Sequence, residues 1–178
     1  ESMKQRDVAI IGGGFAGLMA AIACAKNGKK TSVFLYGSGS FPLNSGLIDI
    51  LGYDEAHAWV TDPLAAIDDL PAEHPYHAIG KTSIEEAAGF FLKLMEEEGF
   101  SYYGSVHEQQ TVVTPVGTLK PSCLVPASMQ AQDFSGKDIL VVGVKGLKDC
   151  YPEMIAENLA DAVKEAASIR TIEVVPDS

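Results

Sequence analysis

The chain has 178 residues, a formal net charge of −11 and a pI of about 4.7. With 47% apolar and 21% charged residues it has the composition of a folded globular protein, long enough for one domain or one and part of a second. So acidic a surface repels phosphate backbones and excludes nucleic acid as a natural partner; any bound phosphate must be held locally, by backbone N–H groups or a few lysines.

The uncharged run from Val8 to Ala25, ending Ala23-Cys24-Ala25, has the outline of a signal peptide or a short membrane span. Asp7 and the break at Gly12-Gly13-Gly14 argue against both readings. Asp7-Val8-Ala9-Ile10-Ile11 reads as a buried parallel strand, the glycines as a turn, and Phe15 to Asn27 as a helix ended by Gly28. Thr31 to Leu35 is the next strand, completing a βαβ unit. Residues 37 to 51 are loop, and Asp54 to Tyr76, with three prolines, suits short helices and turns. Ser83 and Glu86 predict a capping box for a helix whose stripe is Ile84, Ala88, Phe91 and Met95, ended at Glu96 to Gly99. Strands are expected at Tyr102 to His107, Thr111 to Thr114 and Asp138 to Val142, with turns at Pro115 to Gly117 and Phe134 to Lys137. A helix over Pro152 to Ala167 and a strand over Thr171 to Val175 close the chain. The alternation gives an α/β protein with at least one mostly parallel sheet, an added β-rich segment and a further βαβ unit. The expected division is a partial nucleotide-binding domain with an insertion over 4–125 and the start of a second α/β segment over 136–178.

The chemistry lies at Gly12-x-Gly14-x-x-Gly17, after a strand and opening a helix. Gly12 permits the tight turn, Gly14 lets a pyrophosphate approach the backbone, and Gly17 lets helix and strand pack closely. Gly13, Phe15 and Ala16 complete the loop, whose N–H groups at the helix start attract an anion. A bare turn that binds nothing is the alternative. The fingerprint departs from rule where an acid should end the second strand: Leu35, then Tyr36, stand there. This opposes NAD and leaves two alternatives: the ribose is held by Ser38 or Ser40, or the adenosine half binds poorly.

The run Asp7 to Leu18, continuing to Ala20-Ala21, resembles the N-terminal signature of flavin oxidoreductases. Ser45-Gly46-Leu47-Ile48-Asp49, His74-Pro75-Tyr76, Val113 to Leu119 and Val141 to Asp149 extend the likeness. From about residue 6 to 165 the chain resembles the B subunits of anaerobic glycerol-3-phosphate dehydrogenases. The resemblance implies a cytoplasmic flavoprotein subunit oxidising glycerol 3-phosphate to dihydroxyacetone phosphate. It also implies two partners, a flavoprotein A subunit and an iron–sulfur C subunit of glycerol-3-phosphate dehydrogenase. The C subunit would hold the complex at the inner membrane and pass electrons to the quinone pool. The resemblance implies FMN, whereas the loop is built for a dinucleotide such as FAD. Members of that family are more than twice this length, so the resemblance implies a Rossmann-like FAD/NAD(P)-binding fold that is incomplete here, the chain being an N-terminal fragment with an incomplete flavin site.

Asn44, Ser45 and Gly46, after the second strand, are candidates for lining the flavin or its phosphates, against an ordinary polar turn; Asp49 could instead cap a helix. Lys120 is a weak candidate for the substrate phosphate, against a solvated lysine. Lys145, between Gly143 and Gly146, is ambiguous in the same way. His74 reads as a turn residue, and no catalytic residue is assigned. Cys24, Cys123 and Cys150 are spaced for reduced thiols, and His74 and His77 lack the neighbours of a metal site. The competing function is a non-catalytic nucleotide-binding or assembly module of a flavoprotein complex.

Overall fold

The computed structural model describes residues 5–130 and 133–176. The chain divides into two compact units, Glu1–Ser45 and Gly46–Ser178.

The first unit is a βαβ turn of chain. Branched side chains favour the extended strand β1 (Val8–Ile11), and an alanine-rich sequence favours the helix α1 (Phe15–Lys26). Strand β2 (Thr31–Phe34) pairs with β1 in parallel, Val8 opposite Thr31 and Ile11 opposite Phe34. Gly28, at φ +74°, ends α1 in the expected left-handed cap. Its N–H donates to Ala25 at 2.9 Å and that of Lys29 to Cys24 at 3.0 Å, the two bonds of a Schellman motif. Helix α1 buries none of its residues, and Ile11 remains 90% exposed. Each fully buried Leu or Ile contributes about 1.5–3 kcal/mol. The described side chains of this unit contain no residue in that class.

The second unit has a true core. Helix α2 (Pro63–Ala66) is capped by Asp62, whose carboxylate accepts from the Ala65 N–H at 2.9 Å. Helix α3 (Pro75–Ile79) is capped by His74 and passes through Gly80, at φ +82°, directly into α4 (Lys81–Glu97). That junction corrects the expected capping box. Gly80 rather than Ser83 holds the cap position, so Ser83 lies inside the first turn of α4 and no side chain caps the helix. Ile84 and Ala88 of the expected stripe pack on the buried trio Leu64, Ile67 and Val106. Phe91 is buried and meets Tyr102 edge-on, ring centres 5.0 Å apart.

Four short strands follow: β3 (Tyr102–Gly104), β4 (Gln110–Val113), β5 (Leu119–Ser122) and β6 (Leu124–Pro126). They pair antiparallel as β3 with β6 and β4 with β5. The strand expected to reach His107 stops at Gly104, because Ser105 turns back to bridge Glu108. Cys123, Leu124 and Val125 are completely buried. The β4–β5 hairpin turns at Thr114 to Thr118, with Pro115 and the left-handed Gly117 placed as that turn demands.

Strand β7 (Asp138–Val144), helix α5 (Pro152–Ala162) and strand β8 (Ser168–Val174) form a second parallel βαβ unit, Asp138 opposite Ser168. Helix α5 ends five residues before the expected Ala167. Val163 leaves helical geometry and is buried, while Glu165 and Ala167 bond back to Gly136 and Lys137. Those bonds start β8 at Ser168 rather than Thr171. The β4–β5 turn rests on α5. Asn158 donates to the Val116 carbonyl at 2.7 Å, and a Cβ at Gly117 would collide with the Ile155 carbonyl.

That seating of the turn can be tested by substitution. Gly117→Ala combines a left-handed backbone with a backbone collision and should cost about 2–3 kcal/mol. Gly136→Ala, left-handed but in open space, should cost about 1 kcal/mol. Urea midpoints of the two variants measure the difference.

The charges around His107 give a pH dependence. Its Nε2 donates to Glu85 at 3.1 Å while Nδ1 lies 3.6 Å from Asp62. The hydrogen bond to Glu85, aided by the charge of Asp62 and opposed by desolvation, raises its pKa above 6.5. A raised folded pKa is stabilising below 6.5, and that contribution is lost as pH climbs through the raised value. Asp62 has the opposite sign. Its pKa is lowered, chiefly by the Ala65 N–H, so its contribution holds above 3.8 and is lost as pH falls through the lowered value. An NMR titration of His107 should give a midpoint above 6.5. His107→Gln should flatten the loss of stability on the alkaline side.

Candidate dinucleotide-binding site

The glycine loop lies at the carboxyl end of β1, where α1 begins. Gly12, at φ +107°, turns the chain, and its N–H donates to the Phe34 carbonyl at 2.9 Å, tying the loop to the end of β2. A side chain is strained at that φ. Gly14 is the cap residue of α1 in extended geometry, and its carbonyl accepts the first helical bond from Leu18 at 3.0 Å. Gly17 faces inward: a Cβ there would strike the Gly12 carbonyl and touch Ile10 at 3.5 Å. Helix and loop therefore meet backbone to backbone.

This geometry suits an anion. The cap residue Gly14 brings no side chain and no acid stands in the first turn of α1, so the positive end of the helix dipole faces no carboxylate of its own first turn. A Cβ built at Gly14 would, among the described residues, meet the Ser40 hydroxyl oxygen at 3.8 Å, an ordinary contact. A pyrophosphate fits a cradle of this kind, lined by backbone and one hydroxyl. Gly13 differs from its neighbours. A Cβ at that position would collide with Cδ2 of Leu35.

The structure gathers Gly12, Gly13, Gly14, Phe15, Ala16 and Gly17 around one turn, with Leu35, Gly39 and Ser40 beside them. Ser38 is exposed on the same connection, but Ser40 is the serine beside Gly14. Sequence reasoning has no means of choosing between those two serines, since the choice depends on the bend at residues 36–38. Asn44 and Ser45 close the first unit. Gly46 opens the second, where its carbonyl accepts from the Tyr102 hydroxyl at 2.9 Å.

Lys120 also lies in the second unit. Its ammonium is 2.5 Å from the Asp49 carboxylate, so a phosphate there would have to compete with an existing ion pair. Asp49 consequently caps no helix, correcting that alternative: it follows the Ile48–Leu124 bridge and its carboxylate serves Lys120. His74 is a structural turn residue, its Nδ1 accepting from the Tyr76 N–H at 3.2 Å. Gly146, at φ +83°, closes a turn in which Leu147 donates to Val144, and Lys145 is exposed beside it. Cys123 is a buried thiol whose pKa is raised, chiefly by burial. Among the described residues no cluster of His, Cys, Asp or Glu could hold a metal ion.

Strand, glycine turn and uncapped helix define an α/β protein of the dinucleotide-binding class. The chain belongs to the FAD binding domain family, which matches residues 7–178, and its cofactor is accordingly a flavin, FAD. Several curated proteins are similar to it. The B subunit of the anaerobic glycerol-3-phosphate dehydrogenase of Pasteurella multocida is 32% identical over 160 residues, 86% of this chain and 37% of that protein. A probable B subunit of the same enzyme from Halobacterium salinarum is 35% identical over 162 residues, 89% of this chain and 37% of that protein. The Yersinia enterocolitica B subunit is 32% identical over 170 residues, 91% of this chain and 40% of that protein. The chain thus spans about two fifths of the length of these relatives. No solved structure matches it.

The two inner glycines separate binding from folding. Gly14→Ala adds a methyl group at ordinary contact distance from Ser40 and should leave the fold intact while weakening flavin retention about tenfold or more. Gly17→Ala should cost about 1–3 kcal/mol through overpacking and abolish retention. Circular dichroism and flavin absorbance of the purified variants measure the two effects.

Proposed function

We propose that this chain is the nucleotide-binding part of a flavin-dependent dehydrogenase subunit that oxidises glycerol 3-phosphate to dihydroxyacetone phosphate. The observation that carries the reading is the backbone cradle at Gly14, with no acid in the first turn of α1, in a chain similar to several proteins named as the B subunit of that enzyme. When bound, the flavin supplies the redox chemistry as hydride acceptor. The residues of this chain bind and orient it: the amides at the start of α1 take the pyrophosphate, and Ser38, Ser40, Asn44 and Ser45 supply further polar contacts from the segment after β2.

The finer organisation belongs to the same proposal. Residues 4–125 form a partial flavin-binding domain with an insertion, and 136–178 begin a second α/β segment. The fold is incomplete, and later residues of the intact protein return to the β1–β2 sheet and finish the flavin site. The partners are a flavoprotein A subunit and an iron–sulfur C subunit. Through them the protein sits peripherally on the cytoplasmic face of the inner membrane and passes electrons to the quinone pool. Among the described residues no helix is long and apolar enough to cross a membrane, which accords with attachment through partners.

A second reading, a non-catalytic nucleotide-binding or assembly module, is favoured by one observation. Lys120, the weak candidate for the substrate phosphate, is already paired with Asp49. Absorbance spectra of the full-length protein distinguish the two. The enzyme reading predicts a retained flavin band, stronger with FAD than with FMN, that bleaches when glycerol 3-phosphate is added to the assembled complex. Flavin that is retained but not reduced by glycerol 3-phosphate supports the module; no retained flavin contradicts both.

A further inference from the structure

The position after β2 is where this fold ordinarily places a carboxylate to accept hydrogen bonds from the adenosine ribose. Leu35 holds that position. The pairing of Ile11 with Phe34, together with the Gly12-to-Phe34 hydrogen bond, fixes residue 35 immediately beyond the carboxyl end of the sheet, level with the glycine turn. Its Cδ2 lies over Gly13, in the space a side chain there would need. Leu35 is nevertheless 57% exposed, so it presents an apolar surface outward beside the pyrophosphate cradle.

No other acid of the first unit can take its place. Among the described residues of that unit Asp7 is the single carboxylate. It stands at the opposite, amino end of β1, where it accepts from the Lys30 N–H at 2.8 Å. Hydroxyls are the groups available at the carboxyl end, with Ser40 beside Gly14. A neutral hydroxyl binds a ribose diol more weakly than a carboxylate does, because hydrogen bonds to charged groups are about twice as strong.

We propose that Leu35 sets how this chain reads the adenosine half of its dinucleotide: it packs on Gly13 and offers the ribose an apolar wall in place of an acceptor, so that binding does not depend on the ribose 2′-hydroxyl. The proposal rests on the flavin reading above. It assigns Gly13 a role of its own, as the residue that makes room for Leu35, while Gly12 and Gly17 serve the turn and the helix contact.

The test is flavin binding by the full-length protein, comparing FAD with the FAD analogue whose adenosine carries 2′-deoxyribose. The expected result is a ratio of dissociation constants below about fivefold, where a charged acceptor would give about tenfold or more. Leu35→Glu should restore the discrimination, raising the ratio above that of the unaltered protein; Leu35→Met, which keeps an apolar side chain, should leave it unchanged. A preference of about fivefold or more for FAD in the unaltered protein overturns the proposal while leaving the flavin reading intact. Failure to retain either compound overturns the flavin reading and this proposal with it.

Discussion

Helix α1 can lie against the turn that precedes it because residue 17 has no side chain. The Gly12 carbonyl occupies the volume a Cβ at Gly17 would need, and the rest of the candidate site follows from that approach. It fixes the axis of α1 relative to β1, aims the start of the helix along the carboxyl end of the strands, and leaves Gly14 beside the Ser40 hydroxyl. The helix dipole and the backbone N–H groups of the first turn then act on the same small volume. In a chain with net charge −11, such local geometry supplies what long-range attraction of an anion cannot.

The two units are stabilised differently. The second buries Leu64, Ile67 and Val106 in one cluster and Cys123, Leu124 and Val125 completely, and it seats the β4–β5 turn on α5 through Asn158 and the missing side chain of Gly117. The first relies on backbone bonds: the parallel pairing of β1 and β2, the Schellman motif at Gly28, and the bond from Gly12 to Phe34. Ile11, Phe34 and Leu35 leave apolar surface open at the end of the sheet nearest the glycine turn. Parallel strands are ordinarily covered on both faces. The element that carries the candidate chemistry is therefore also the one with the least buried apolar surface to hold it.

Much of this is legible in the sequence where the signal is local. Glycine spacing, the apolar strand before it and Gly28 after α1 place the first βαβ unit to within a residue or two, because backbone freedom and short-range packing determine them. The start of α4 is not legible in the same way, because Ser83 and Glu86 satisfy a local rule that the junction at Gly80 overrides. The early end of α5 depends on Val163 entering the interior, on the Gly136 N–H donating to the Glu165 carbonyl and on the Ala167 N–H donating to the Lys137 carbonyl, partners far apart in the chain that no window of sequence contains. Leu35 is visible in the sequence as an anomaly, but its contact with Gly13 is not, and Lys120 reads as free until Asp49 is found against it.

The central claim is that the amides opening α1 receive the flavin pyrophosphate. Hydrogen–deuterium exchange of the full-length protein, with and without FAD, tests it at the level of the segment concerned. FAD should slow exchange at residues 12–18 more than anywhere else in the first unit. Retained FAD with unchanged exchange across that segment would contradict it, leaving Gly12 to Gly17 as a structural turn and placing the flavin elsewhere.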